Sequence, residues 1–413
     1  MAGNPGTASK PRLLYLSPVV PALSGNGLAM RAGMVLQLLA QRYSVSLVVV
    51  QLYAPYGVPI PAEIAGLCRD TVVLPTSTTT TWPAPSASRS LPKRLGDALR
   101  TRRSLAGHGD EEAIRAFPGV PFDVVHVFRL AMAPFARPYF DRFAPPPERH
   151  LDLDDVESST RRRLAALYRL NGNAAMARLE ELEAQRSELL ETEALRDFDR
   201  VYVCSPGDQK GLARLAPARV CVLPNALPLA EPLPPKRRDG LFTLLFVGTL
   251  GYYPNEDAIR HLCVQVLPLL RATAQQAFRV AIVGTGATAA IRQLAELPEV
   301  QLIGAVADVA PWYREADAVV VPIRAGGGTR IKVLEAFRYG RPVVSTSMGI
   351  EGIEARGDEH VLLGDTPLAF AEQCRRLMGD QSFAESLTQN AYALFKRAYT
   401  TEVVARSLAA MCS

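Results

Sequence analysis

The chain has 413 residues, 48% of them apolar, and a formal net charge of +5, enough to bury a large core shared between two domains or three. So small a positive excess, spread over both halves, argues against a dedicated nucleic-acid surface, and six scattered cysteines with no C-x-x-C pair argue against zinc or a disulfide framework. MAGNPGTASKPR lacks the apolar core of a secretory signal, and no apolar run approaches the ~20 residues of a membrane span, so a cytoplasmic protein is expected.

Arg12–Ser17 (RLLYLS) reads as a buried first strand, and a Pro/Gly turn then gives way to helical periodicity in LAMRAGMVLQLLAQ. Ser24, Gly25, Asn26 and Gly27 precede that helix, either as a ligand-facing glycine loop or as a plain turn with Asn26 as N-cap. Strands follow at VSLVVV from Val45 and TVVLP from Thr71. Between Pro75 and Pro92 the chain is rich in Ser, Thr and Pro and too polar to pack. Beyond it, Lys93, Arg94, Arg100, Arg102 and Arg103 surround Leu95, Leu99 and Leu105, as a solvated helix face or as a basic amphipathic helix able to rest on an anionic membrane. FDVVHV from Phe122 is a fourth strand carrying His126 towards its C-terminal end, where open α/β sheets place ligands; a hydrogen-bonded structural histidine is the alternative. HLDLDDVE from His150 offers Asp152, Asp154 and Asp155, facing a substrate or capping the helix that follows. Ser158 to Arg196 is helical, interrupted at Asn171–Asn173. Arg200–Ser205 and RVCVLPNAL from Arg219 are strands that lead to a proline-rich, extended connector, with the domain boundary at about residue 225.

The second half repeats the pattern. LFTLLFVGTLGYYPNEDAIRHL is strand, glycine turn and helix, so Gly248 and Thr249 are candidate phosphate contacts. RVAIVG ends at Gly284, but G-x-G at Gly284 and Gly286 lacks the third glycine and the acidic residue of a dinucleotide site, which argues against a nicotinamide oxidoreductase. The central stretch is AVVVPIRAGGGTRIKVLEAFRYGRP, Ala318–Pro342. An apolar strand breaks at Gly326, Gly327 and Gly328, and a helix is expected from about Thr329. Free N–H groups at such a start suit an anion, and glycines let it approach the backbone. Arg330 and Lys332 add positive charge; Gly328, Lys332 and Glu335 fall on one helix face, where Glu335 could accept sugar hydroxyls. The plainer alternative is a loop followed by an exposed Lys332–Glu335 pair contributing ~0.3 kcal/mol. A strand and loop, PVVSTSMGIEGIE, and a helical tail from Ser382 complete the chain.

GGGTRIKVLEA resembles, residue by residue, the GGGTRxKxLEA of a subgroup of retaining nucleotide-sugar glycosyltransferases of the GT-B fold (group 1, family 4-like), many of them bacterial polysaccharide-type sugar transferases. Glu335 matches the second glutamate of the family's E-x7-E, and Gly327 stands where the first would be. Tyr253, Pro254 and Asn255 fit the subgroup's Y-x-P-N, in a region where many relatives carry an arginine and a lysine. The resemblance implies an α/β chain of two facing doubly wound Rossmann-like domains: 1–225 on the acceptor side, 226–385 on the donor side, and 386–413 as a helix crossing back. It implies transfer of a hexose from a UDP- or GDP-linked sugar to a hydroxyl acceptor (a glycan, a lipid-linked glycan or a small molecule), with retention and with neither metal nor cofactor. The D-x-D of Asp152 and Asp154 hints at a metal, which the phosphate-binding residues near 330 would make redundant. On this reading His126, Arg330 and Lys332 are catalytic, although Phe128 replaces the second histidine of the family's H-x-H. Gly25, Gly27, Gly248, Thr249, Gly284, Gly326, Gly327, Gly328, Thr329, Glu335 and Glu351 bind the donor. Arg129, Asp152, Asp154 and Asp155 lie on the acceptor side. Partners would be the nucleotide sugar and its acceptor, with peripheral contact at the inner face of an anionic membrane as an option. An epimerase of the same architecture and a non-catalytic sugar-nucleotide-binding protein are the competing readings.

Overall fold

A computed structural model describes residues 10–53, 57–74, 116–117, 119–212, 219–236 and 240–411. The Ser/Thr/Pro stretch after Pro75 and the basic run from Lys93 to Leu105 lie outside the described residues.

The first sheet contains β1 (Arg12–Ser17), β2 (Ser44–Val50), β3 (Asp70–Leu74), β4 (Val124–Phe128), β5 (Glu148–Asp154), β6 (Arg200–Val203) and β7 (Val220–Val222), in the order β3-β2-β1-β4-β5-β6-β7. The second contains β8 (Leu241–Val247), β9 (Ala277–Val283), β10 (Val300–Gly304), β11 (Ala318–Val321), β12 (Val343–Ser345) and β13 (Leu362–Leu363), in the order β10-β9-β8-β11-β12-β13. All the strand pairings are parallel. Helices cover both faces, which is why strands such as VSLVVV and LFTLLFV are almost wholly apolar. Each sheet reverses direction once, between β1 and β4 and between β8 and β11, and ligands of doubly wound sheets bind at the carboxyl ends of such a pair. The α/β class with two doubly wound sheets is therefore as the sequence implies, although the two-residue β13 carries no pattern that could announce it.

The helix Gly27–Ala40 is capped by Asn26, whose side chain accepts from the Ala29 N–H at 2.9 Å. The long helical region breaks as expected, into Glu157–Leu170 and Ala174–Asp197, with Gly172 at φ +77° in the turn. The lobes touch extensively. Leu164, Leu167, Tyr168 and Ala177 of the first form a small apolar cluster with Ala325 of the second. The helix Thr401–Met411, last in the chain, buries Val404 and Leu408 against Val35, Leu36 and Leu39 of the first lobe.

Candidate active site

At the carboxyl end of β11 the chain passes through the three glycines and enters the helix Ile331–Arg338. That helix starts two residues later than the sequence implies, with Arg330 as the N-cap residue and no side chain capping it, so Gly328 lies in the turn rather than on the helix face. The Arg330 guanidinium folds back over the turn, its Nη1 donating to the carbonyls of Gly327 and Gly328. Its Nη2 is enclosed and has no partner among the described residues. Thr329 accepts a 2.6 Å bond at its hydroxyl from the Asn225 amide.

Lys332 donates to Asn255 Oδ1 at 2.9 Å and sits 4.2 Å from the centre of the Phe246 ring. A Cβ on Gly248 would come within 2.9 Å of the Lys332 amine, so that glycine makes room for it. Gly248 follows β8, which puts Lys332 at the β8/β11 switch point. Burial pushes its pKa down to about 7, helped by Arg330 and opposed by Glu335. Glu335 accepts from the Tyr313 hydroxyl at 2.9 Å; burial raises its pKa to about 7 against the pull of that bond and of Lys332. Lys332 and Glu335 are therefore not the exposed surface pair of the plainer reading. Thr249 turns its side chain to solvent and its carbonyl to the Asn255 amide, 2.9 Å away. Gly284 has φ +151°, and a Cβ there would lie 1.7 Å from the Gly248 carbonyl; it supports the Gly248 turn from behind.

Across the cleft, the carboxyl end of β5 presents the acidic residues. Asp152 is fully buried, its Oδ1 accepting from Arg31 at 2.8 and 3.2 Å. Asp154 lies 3.3 Å from Arg31 and 3.5 Å from Arg129, and burial lifts its carboxyl to about 7 despite both cations. Asp155 accepts from Arg129 and, at 2.6 Å, from Thr160. Burial alone would raise its pKa, but Arg129, the Thr160 hydroxyl and Arg330 outweigh burial and leave it lowered. Arg129 and Asp154 both hold positive φ, +72° and +63°, a strain that non-glycine residues keep only where their surroundings impose it. Gly27 faces the start of the Ile331–Arg338 helix, a Cβ there meeting Ile331 Cδ1 at 3.5 Å, whereas Gly25, at φ +102°, faces open space.

His126 does not reach this cleft. It pairs in register with Tyr15 and His150, so its ring shares their face of the sheet, stacked on Tyr15 at 5.2 Å and edge-on to His150 at 5.9 Å. It is fully buried, with neither ring nitrogen partnered among the described residues; burial, His150 and Arg31 push its pKa down. The strand runs on to Phe128 before the rim is reached. Glu351 is held by Arg163 of the first lobe at 2.5 and 2.7 Å, and Arg163 also donates to the Gly326 carbonyl at 3.0 Å. Thr160, Arg163 and Asn225 went unnoticed in the sequence because each reaches the triglycine turn only through the closing of the lobes. A cavity of about 770 Å³ lies at the other ends of β1 and β2 beside Lys10, Arg12 and Arg69, away from the side where doubly wound sheets bind ligands.

Residues 242–380 match the family model described as Glycosyl transferases group 1. That segment contains the cluster around Lys332 and every donor-side residue named above except Gly25 and Gly27. Among solved structures, sucrose-phosphate synthase from Thermosynechococcus elongatus superposes with a TM-score of 0.68 at 17% identity, over 97% of this chain and 98% of that one. HepE of Anabaena in complex with UDP-glucose gives 0.64 at 13% identity, over 97% and 99%. A TarM mutant from S. aureus in complex with fondaparinux, alpha-GlcNAc-glycerol and UDP gives 0.57 at 13%, over 73% and 58%. These likenesses establish the fold as GT-B, two Rossmann-like lobes facing one another. No curated protein matches the chain in sequence.

Proposed function

We propose that the protein transfers a hexose from a nucleotide diphosphate sugar to a hydroxyl acceptor, with retention and without a metal. The observation that carries this is Lys332, seated against Gly248 at the switch point with Arg330 at the same glycine turn, inside the segment that matches the glycosyltransferase model. In the reaction the bond from the anomeric carbon to the diphosphate breaks, a bond to the acceptor oxygen forms, and the acceptor's proton is released. Negative charge grows on the departing diphosphate, and Lys332, Arg330 and the first-turn N–H groups of the helix would stabilise it. Glu335, farther along the helix, would accept from ribose hydroxyls. UDP is the first nucleotide to test, since HepE and TarM were solved with UDP-glucose and UDP.

The acceptor would enter beside β5. The carboxylates there are engaged with Arg31 and Arg129. No helix among the described residues is long and apolar enough to cross a membrane; a cytoplasmic enzyme of polysaccharide or glycoconjugate synthesis, in contact with the inner membrane face where its acceptor is lipid-linked, fits this reading. Incubation with a panel of UDP- and GDP-sugars, with and without EDTA, tests it. Release of free nucleoside diphosphate, unaffected by chelator, is expected. An epimerised donor sugar would point to the epimerase, and protection against melting without turnover to a binding protein.

A further inference from the structure

Gly327 lies where two lobes meet with no room for a side chain of its own. A Cβ built on it would fall 1.8 Å from Thr160 Oγ1 and 2.2 Å from Asp155 Oδ2. In place of the glutamate that the resembled family carries at this position stands a carboxylate from the opposite lobe. The turn thus has two chemically distinct ends. Lys332 lies beside Gly248 at one end, and Asp155, paired with Arg129, beside Gly327 at the other. A diphosphate is drawn to the lysine, whereas sugar hydroxyls donate readily to a carboxylate. Asp155 Oδ1 takes Arg129 and Oδ2 takes Thr160, and since each oxygen has two lone pairs, each can accept once more. A second observation points to a ligand at the same turn. The enclosed Arg330 Nη2 has no partner among the described residues and lies 3.3 Å from a Cβ built on Gly326, at the same turn.

We propose that Asp155 reaches across the lobes to accept a hydrogen bond from a hydroxyl of the transferred sugar, and so helps set which sugar the donor site takes. This rests on the nucleotide-sugar reading above and assigns Asp155 to the donor rather than to the acceptor. Arg129 and Thr160 are positioning residues that hold the carboxylate ionised and aimed.

The test is calorimetric binding of UDP and of UDP-glucose, and of GDP and GDP-mannose, to the full chain and to Asp155→Asn, with melting temperature recorded for each. For the pair that binds, wild type should hold the nucleotide sugar more tightly than the bare nucleotide. Asp155→Asn should lose roughly ten- to a hundredfold for the sugar form, as expected for a bond to a charged acceptor, while affinity for the bare nucleotide stays within about twofold. Thr160→Val should shift the ratio in the same direction and Thr160→Ser should restore it. Equal losses for both ligands, or none, overturn the assignment and leave the glycosyltransferase reading intact. A wild type that binds none of the four overturns that reading, and the assignment with it.

Discussion

On the proposed reading Lys332 is the residue on which the donor site turns, since its amine lies at the β8/β11 crevice and Gly248 has no side chain to obstruct it. Lys332→Ala should lower kcat/KM for the nucleotide sugar by about 10²–10³-fold, as removal of a preorganised charge-stabilising donor does, with little change in melting temperature; steady-state kinetics checks it. The site should also respond to pH. Lys332 has its pKa lowered to about 7 and Glu335 has its raised to about 7, so as pH rises through 7 the lysine loses its charge while the glutamate gains one. Both changes oppose a diphosphate. Affinity for UDP-glucose should therefore fall between pH 6 and 8.5, by up to about tenfold per pH unit for each linked proton, and Lys332→Ala should flatten the profile. What was legible here was contiguous: three glycines, two cations and Glu335 within ten residues are the pattern from which a phosphate turn is proposed. The contact of Asp155 and Thr160 with Gly327 was not, because it exists only once the lobes are assembled. His126 was misplaced because the period-two pattern of β4 says that a side chain faces one side of the sheet, but not whether that side is closed by rings such as Tyr15 and Tyr202.

Among elements, the helix Glu157–Leu170 and the turn after it help to join the lobes. Tyr168 stacks on Tyr253 at 4.1 Å. Asn171 donates to Asp257 at 2.7 Å, and Arg324 grips the same carboxylate at 2.7 and 2.9 Å. These contacts differ in weight according to burial. Arg163 and Glu351 are both partly exposed, so Arg163→Ala should cost less than about 1 kcal/mol. Asp257 is buried, and Asp257→Ala, which strands Arg324 and Asn171 together, should cost about 2–4 kcal/mol. Urea unfolding of the two variants compares them directly. The helix and its break at Asn171–Asn173 were readable from leucine spacing and the N-G-N turn. Its partners were not, since Asp257 and Arg324 lie far from it along the chain and meet it only in the fold.

At the scale of the whole molecule, two sets of alternating strands and helices with a proline-rich connector disclosed two doubly wound lobes, and the sheets share one strand order through their first six strands. The last helix ties those lobes together by a different route. The chain leaves the second lobe, Thr400 bridges to Leu227, and Thr401–Met411 then lays Val404 and Leu408 into the apolar cluster around Leu36 and Leu39, while Arg42 donates to the Ala409 carbonyl at 3.0 Å. A helix contributed by one half of the chain to the core of the other couples their unfolding, because the first lobe cannot open without expelling it. Leu408 is 3% exposed, so Leu408→Ala should cost about 2–5 kcal/mol through lost burial and the cavity left behind. If the coupling holds, urea unfolding of the variant remains a single transition with a lower midpoint and an unchanged slope. Two resolved transitions, only the less stable one shifted, would show instead that the lobes unfold independently and that the helix serves the first alone.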